Sequence, residues 1–392
     1  MIKGPYTCGI DIGTNYTKVV VVKYDKEKKE SSIIATGFSE TRGMRQGYVV
    51  NTDHVAESIR KAVKQAENIL GNKINKAYVS IGGISLNSNI CSGSVMTTRA
   101  DQEISAIDVE KVISNSEENL DTTNKKIIHS IPLGYKLDGK EIYVKPEGLK
   151  GAKLEVKTLF ITCLKQNLED LITAFGLARI NVEEIVASPL VTGNILLNNK
   201  QKVAGCVLVD IGAETLSTIV FENNLPISLH VHPIGSLDIT KDVALGLKIS
   251  LEEAETIKMG NVIGGDYSKK KVDEIIEARL VDMFELVENN LKRLKRNELL
   301  PAGVILTGGG SGVNEIENIA KSQLKLPTRV GPSDFSIINK FKVRDNSWYT
   351  ALSLALYSND EDFYDSSLKN DIREARSFFK DVISRFFSQL LP

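Results

Sequence analysis

Apolar residues in this chain switch between a two-residue and a 3.6-residue period, and the same succession occurs twice. An apolar run ending at Asp11 leads into a turn. The strand Thr17 to Tyr24, a Lys/Glu-rich turn and the strand Ser32 to Gly37 follow, and then a helix from Thr52 to Leu70. A second run ending at Asp210 is followed by the strands Leu216 to Glu222 and Pro226 to His232, joined at Asn223-Asn224, and by a helix from Ser236. Each copy needs its own sheet and covering helices, so the repeat predicts two related α/β lobes with a cleft between them. Between the copies, the pattern predicts a helix at Asp108 to Leu120, strands at Lys126 to Leu133 and Leu154 to Leu164, and a helix at Asn167 to Leu177. Trp348 and the small-residue run Tyr349 to Leu356 read as a core helix.

The end of the chain has a different pattern. Leu368, Ile372, Ala375, Phe379, Val382, Ile383, Phe386 and Leu390 recur at three- and four-residue spacing, with Phe378, Phe387 and Leu391 at the edges of the arc. Arg373, Glu374, Lys380, Asp381 and Arg385 fall opposite. Such a helix, preceded by the polar stretch Ser358 to Asp362, is expected to lie on a lipid surface rather than to enter the core.

Three turns carry the candidate chemistry: Gly9-Ile10-Asp11-Ile12-Gly13-Thr14, Val209-Asp210-Ile211-Gly212-Ala213-Glu214-Thr215 and Leu306-Thr307-Gly308-Gly309-Gly310-Ser311-Gly312. In each, a strand runs into glycines and small hydroxyl residues, where bare backbone N–H groups can reach a phosphate. Asp11 and Asp210 add a carboxylate at two of the strand ends, suited to the hydration shell of Mg2+ or to orienting a water. The three together point to ATP clamped between two lobes.

Composition narrows the partners. A length of 392 residues favours two or more domains, and a net charge of -1 argues against a nucleic-acid polymer as the main partner. The four cysteines, Cys8, Cys91, Cys163 and Cys206, lie singly, as expected of reduced thiols in a cytosolic protein. No run reaches transmembrane length, and the start of the chain lacks a signal-peptide apolar region. His230 and His232 share a strand face and are read as structural, because no third ligand accompanies them.

With these residues laid out, the chain resembles the actin, sugar-kinase and chaperone-ATPase superfamily, and within it the FtsA family of bacterial cell-division actin homologues. The superfamily segments fall at Asp11 to Lys18, Pro189 to Leu197, Asp210 to Thr215, Gly308 to Gly312 and Tyr349 to Leu356. The more specific likeness lies in Thr41-Arg42-Gly43-Met44-Arg45-Gln46-Gly47, Gly148-Leu149-Lys150-Gly151-Ala152-Lys153-Leu154-Glu155 and Phe160-Ile161-Thr162-Cys163. The resemblance implies an α/β, two-lobed actin-like ATPase fold with an FtsA-type small α+β inserted domain and a C-terminal amphipathic helix. Residues 1–83, 165–201 and 339–358 would form the first lobe, with the insert at 84–164. Residues 202–245 and 302–338 would form the second lobe, and 246–301 its mostly helical outer part. A linker at 359–367 and the membrane helix at 368–392 would complete the chain.

The resemblance also implies roles. Gly13, Thr14, Asn15 and Lys18 would hold the β and γ phosphates, with Gly212, Ala213, Glu214 and Thr215 facing them from the other lobe. Asp11 would sit near Mg2+ through water, and Asp210 would orient water or metal. Glu255 would accept from the ribose hydroxyls, Lys258 would lie near the adenine, and Gly308, Gly309 and Gly310 would approach the ribose and α phosphate. A helix from Val313 would add the favourable end of its dipole. Arg279 would meet the FtsZ C-terminal peptide, and Phe378, Phe379, Val382, Ile383, Phe386, Phe387 and Leu390 would enter the membrane.

Many relatives have glycines where this chain has Ala213-Glu214. A Glu214 carboxylate about 5 Å from a phosphate would cost on the order of 3 kcal/mol at an effective dielectric of 20, so the side chain is expected to turn outward. Slow ATP turnover at most is expected, the nucleotide serving mainly as a structural or polymerisation ligand. The implied function is a filament on the cytoplasmic face of the membrane at the division site, tethering FtsZ and recruiting later division proteins. A PilM-like adaptor of pilus assembly and a small-metabolite kinase are the alternatives.

Overall fold

The computed structural model describes residues 6–25, 30–260, 268–331 and 345–357. The expected linker and amphipathic helix, with Phe378, Phe379, Val382, Ile383, Phe386, Phe387 and Leu390, lie outside the described residues.

The first half opens with β1 (Tyr6–Ile12), β2 (Tyr16–Asp25), β3 (Glu30–Glu40), the short hairpin β4 (Met44–Arg45) and β5 (Tyr48–Val49), helix α1 (Thr52–Leu70) and β6 (Lys76–Ile81). Next come β7 (Asn87–Met96), α2 (Ala106–Glu118), β8 (Lys125–Leu137), β9 (Lys140–Ile142), β10 (Lys153–Leu164), α3 (Lys165–Leu177), β11 (Asn181–Ala187), α4 (Ser188–Leu196) and α5 (Asn199–Ala204). The second half carries β12 (Cys206–Ile211), β13 (Leu216–Glu222), β14 (Leu225–His232), α6 (Ser236–Leu247), α7 (Leu251–Lys258), α8 (Lys269–Arg293), β15 (Val304–Thr307), α9 (Ile316–Leu324), β16 (Thr328–Val330) and α10 (Tyr349–Tyr357).

The repeat is a repeat of topology. One sheet runs β11-β6-β1-β2-β3, and the other contains β16-β15-β12-β13-β14 in the equivalent order. β1 is antiparallel to β2 and parallel to β6, as β12 is to β13 and β15. The local signals act as their chemistry requires. Asn51 caps α1 by accepting from the His54 N–H, and Gly71 closes the helix at φ 74°. Asn223 and Asn224, both at positive φ, make the tight β13–β14 turn.

Two main apolar cores hold the fold: one is built around β1, β2, α1 and α10 and continues onto one face of β12 and β13 and onto β8 and β10, and the other is built around β12, α6 and α8. α10 is buried at all nine positions. It lies so close to β1 that a Cβ on Gly9 would stand 2.3 Å from the Ala351 carbonyl oxygen. This backbone-on-backbone contact holds the first turn against the helix that crosses beneath it.

The insert, β7 through β10 with α2, has a small core of its own formed by Ile104, Val109, Val112, Leu154 and Val156. Covalently it interrupts the first lobe, yet its sheet continues that of the second, in the order β14-β7-β10-β8-β9. The junction is one register pair, His230 with Asn87, reinforced by Ser88, whose hydroxyl donates to the Leu229 carbonyl and accepts from the Leu229 N–H. Toward the first lobe, His129 Nε2 accepts the Ala187 N–H at 3.1 Å. The acceptor role requires a neutral imidazole, and burial holds this histidine neutral by pushing its pKa down to about 4.

One expected element begins elsewhere. No helix starts at Val313: Gly309–Gly312 closes as a 3-10 turn, Glu315 sits at φ 60°, and α9 starts at Ile316.

Candidate functional site

The ends of β1, β12 and β15 converge on a cavity of about 440 Å3 between the two lobes. Two hairpin turns form its opposing walls. Gly13 N–H donates to the Tyr16 carbonyl at 3.0 Å, and Gly212 N–H donates to the Thr215 carbonyl at 2.8 Å. The strand register places Lys18 opposite Asp11 in the first turn and Ser217 opposite Asp210 in the second.

Asp11 accepts from the Ser80 hydroxyl at 2.7 Å. Burial raises its pKa, opposed by that hydrogen bond and by Lys18. Asp210 is pushed up to about 7, by burial first and then by the charge of Asp11, with Lys18 opposing. Lys18 donates to the Ser347 carbonyl at 3.0 Å, and burial lowers its pKa against the attraction of Asp11, Asp345 and Asp210. Two half-buried carboxylates thus share the charge of one half-buried ammonium, and bringing a cation between them would favour their ionised forms.

Gly308 is required by geometry. At φ 86° and ψ 169° it occupies a region open essentially to glycine alone, and a Cβ there would lie 2.2 Å from Asp210 Oδ1. Gly309 is open, its nearest obstacle to a Cβ being Ser347 Cβ at 3.6 Å. Gly310 packs inward, since a Cβ would meet Ile211 Cγ2 at 2.4 Å. Glu255 reaches the cavity with its carboxylate fixed by the Lys258 ammonium at 2.7 Å and the Thr240 hydroxyl at 2.5 Å.

Asp11, Gly13, Thr14, Asn15, Lys18, Asp210, Gly212, Ala213, Thr215, Glu255, Gly308 and Gly309 all line the cavity. Glu214, Lys258 and Gly310 do not. Lys258 stands behind the cavity wall, its buried ammonium donating to Glu255, Thr240 and the Ser236 carbonyl. It positions Glu255 from behind. Glu214 turns out of the cavity, where its carboxylate accepts from the Gln46 N–H. Arg279 lies apart from the cleft on α8, paired with Asp242 at 2.6 Å and Asp282 at 3.3 Å.

Several lining residues escaped the sequence reading, among them Tyr16, Ser80, Gly82, Gly83, Asn167 and the run Asp345-Asn346-Ser347. Gly82-Gly83 had a signal: like Gly308, it follows an apolar strand directly.

The donor set fits Mg2+ with a polyphosphate. Among the described residues no cluster of three or more His, Cys, Asp or Glu side chains could hold a metal by itself. Mg2+ characteristically takes one or two carboxylates and completes its shell with phosphate oxygens and water. Asp11 and Asp210 are hard oxygen donors beside glycine turns that leave backbone N–H groups accessible.

A family model described as "Cell division protein FtsA" matches residues 207–353, and one described as "SHS2 domain inserted in FTSA" matches residues 83–162. Cell division protein FtsA of Bacillus subtilis is 30% identical over 370 residues, covering 89% of this chain and 82% of the relative. FtsA of Pseudomonas aeruginosa is 27% identical over 379 residues, covering 90% and 89%. Among solved structures, the PilM-PilN type IV pilus biogenesis complex matches with a TM-score of 0.65 at 16% identity, covering 90% of this chain and 98% of that one. Ethanolamine utilization protein EutJ from Carboxydothermus hydrogenoformans matches with a TM-score of 0.55 at 18% identity, covering 91% of each. These two likenesses speak to the fold, which is the two-lobed actin-like one.

Proposed function

This chain belongs to the FtsA family of cell-division proteins, and from that premise we propose that it is an ATP-binding scaffold that assembles into filaments on the membrane and holds FtsZ there. The observation that carries the nucleotide part is the pair of Asp-Ile-Gly turns facing each other across one cavity, with Gly308 at its third side. Gly13, Thr14 and Asn15 with Lys18 would hold the β and γ phosphates from one lobe. Gly212, Ala213 and Thr215 would hold them from the other. Glu255, fixed by Lys258 and Thr240, is set to accept from the ribose hydroxyls, and the open face of Gly309 leaves room for the sugar. Mg2+, when bound near Asp11 and Asp210, would neutralise charge on the phosphate oxygens. Titration with labelled ATP and Mg2+ tests this reading: saturable binding is expected, and undetectable binding at millimolar ATP overturns it. Turnover is expected to be slow, and hydrolysis of many ATP per second would contradict the scaffold role.

The assembly part rests on family membership and on the insert, which carries a small core of its own. Removing residues 84–164 is expected to abolish filaments on lipid seen by electron microscopy while ATP binding persists. For FtsZ, α8 offers Arg279, whose ion pairs with Asp242 and Asp282 must open or be shared before a peptide carboxylate can engage it. Unchanged peptide affinity in Arg279→Glu would remove that residue from the surface. Membrane attachment rests on the sequence pattern from Leu368 onward, and no helix among the described residues is long and apolar enough to cross a bilayer. Phe386→Asp is expected to release the protein from anionic liposomes in a sedimentation assay without changing ATP binding.

A further inference from the structure

The departure at Glu214 is the one feature of the phosphate turns that the nucleotide reading leaves unexplained. Its carboxylate Oε2 accepts the Gln46 backbone N–H at 2.6 Å, across 168 residues of chain and from one lobe to the other. Both partners are held from behind. On the first-lobe side, Gln46 sits at φ 49° and Gly47 at φ 76°, backbone packed on backbone against Gly83. The Gln46 carbonyl accepts from the Ile84 N–H at 3.3 Å, so this peptide is tied to the Ser80–Gly83 wall of the cavity. On the second-lobe side, the carbonyls of Gly212 and Ala213 each accept an N–H at 2.9 Å, from Ser236 and Leu237 at the start of α6. A Cβ on Gly235 would stand 2.4 Å from the Ala213 carbonyl oxygen, so the turn bearing Glu214 cannot drift away from that helix.

The segment from Thr41 to Gln46 is therefore bound by both phosphate turns. Thr41 N–H donates to the Asn15 carbonyl at 2.9 Å, and Gln46 N–H donates to Glu214. Asn15 and Glu214 are equivalent positions, each the third residue after the turn aspartate's isoleucine in hairpins of matching register. The first contact lies within a lobe. The second crosses between lobes and uses a charge-assisted acceptor, the stronger kind of hydrogen bond.

We propose that Glu214 is a latch between the lobes, holding the Met44–Val49 hairpin over the phosphate end of the cleft and slowing the escape of bound nucleotide. Opening the cleft must break the Gln46–Glu214 hydrogen bond. Closing it turns the carboxylate away from the phosphates, so the closed arrangement removes a repulsion as it gains a contact. The proposal rests on the nucleotide reading of the cleft, and two separate readouts on the full-length chain keep the two apart.

The first readout is deuterium exchange of the nucleotide-free protein over residues 44–49. Glu214→Ala is expected to speed exchange there about tenfold, while Glu214→Gln, which keeps an acceptor oxygen at the same reach, restores most of the protection. The second is stopped-flow release of a fluorescent ATP analogue, expected to be about tenfold faster in Glu214→Ala and intermediate in Glu214→Gln. Unchanged exchange in Glu214→Ala overturns the latch. Faster exchange with unchanged release restricts Glu214 to holding the hairpin and overturns its coupling to the site. Faster exchange in a protein that takes up no analogue at all leaves the inter-lobe contact standing and overturns the nucleotide reading instead.

Discussion

At the first Asp-Ile-Gly turn the residue across the hairpin from the aspartate is Lys18; at the second it is Ser217. One position beyond the middle of the turn, the first has Asn15 and the second Glu214. The backbones coincide, each with a glycine N–H donating to a carbonyl three residues on. The side chains have taken opposite electrostatic parts. The first turn brings the cation that tempers both aspartates, and the second brings an anion directed at a backbone N–H of the other lobe. The shared strand-turn-strand frame fixes where both turns meet the cleft, while charge balance is a property of the two lobes together. Asp210, without a lysine on its own hairpin, relies on Lys18 across the cleft.

The largest effect is expected where the frame itself is attacked. Gly308→Ala forces a Cβ onto Asp210 and Ile211 at a backbone angle suited to glycine, which should cost on the order of 3 kcal/mol or more and abolish ATP binding. Thermal unfolding and a binding titration would read both, and a wild-type melting temperature would break the assignment of this glycine. Acid should act next, at the joint of insert and first lobe. His129 has a folded pKa of about 4 against about 6.5 unfolded, so the unfolded chain binds more protons between those values. Stability is then full above pH 6.5 and falls as pH drops toward 4, by about 3 kcal/mol. Denaturant unfolding across that range should show the slope, and His129→Gln should flatten it.

Charge separates the two turns more directly. Lys18→Ala should weaken ATP about 50-fold, through a lost cation in the cleft and two aspartates left to repel each other. Ser217→Ala, at the matching position, should change affinity less than about threefold. Equal losses in the two variants would dissolve the distinction. Between these lies Gly309→Asp, whose carboxylate would enter an open part of the cavity and weaken ATP by about tenfold without destabilising the fold.

Much of this frame was legible because it is local. The strand-hairpin-strand-helix succession follows from period and turn chemistry alone, and the helices Thr52–Leu70 and Ser236–Leu247 start where the pattern starts them. The Asp-Ile-Gly and Gly308 turns carry their glycines as a visible requirement. What escaped depends on distant chain. Lys258 is held behind Glu255 by Ser236 and Thr240 of α6, and the outward turn expected of Glu214 finds an unforeseen partner in a peptide 168 residues away. The start of α9 was misjudged because the glycines before it close a 3-10 turn and Glu315 then takes a left-handed conformation, which no hydrophobic period reports.

The junction between β14 and β7 has a mechanical meaning. The insert is spliced into one lobe but rests as an outrigger on the sheet of the other, at the His230–Asn87 pair. Tension applied to it runs along peptide hydrogen bonds from β7 to β14, then through β13 to β12, the strand that carries Asp210 in its last pair of residues. A pull on the insert would therefore reach the floor of the cleft through a load path whose last link, β13 to β12, is an unbroken ladder.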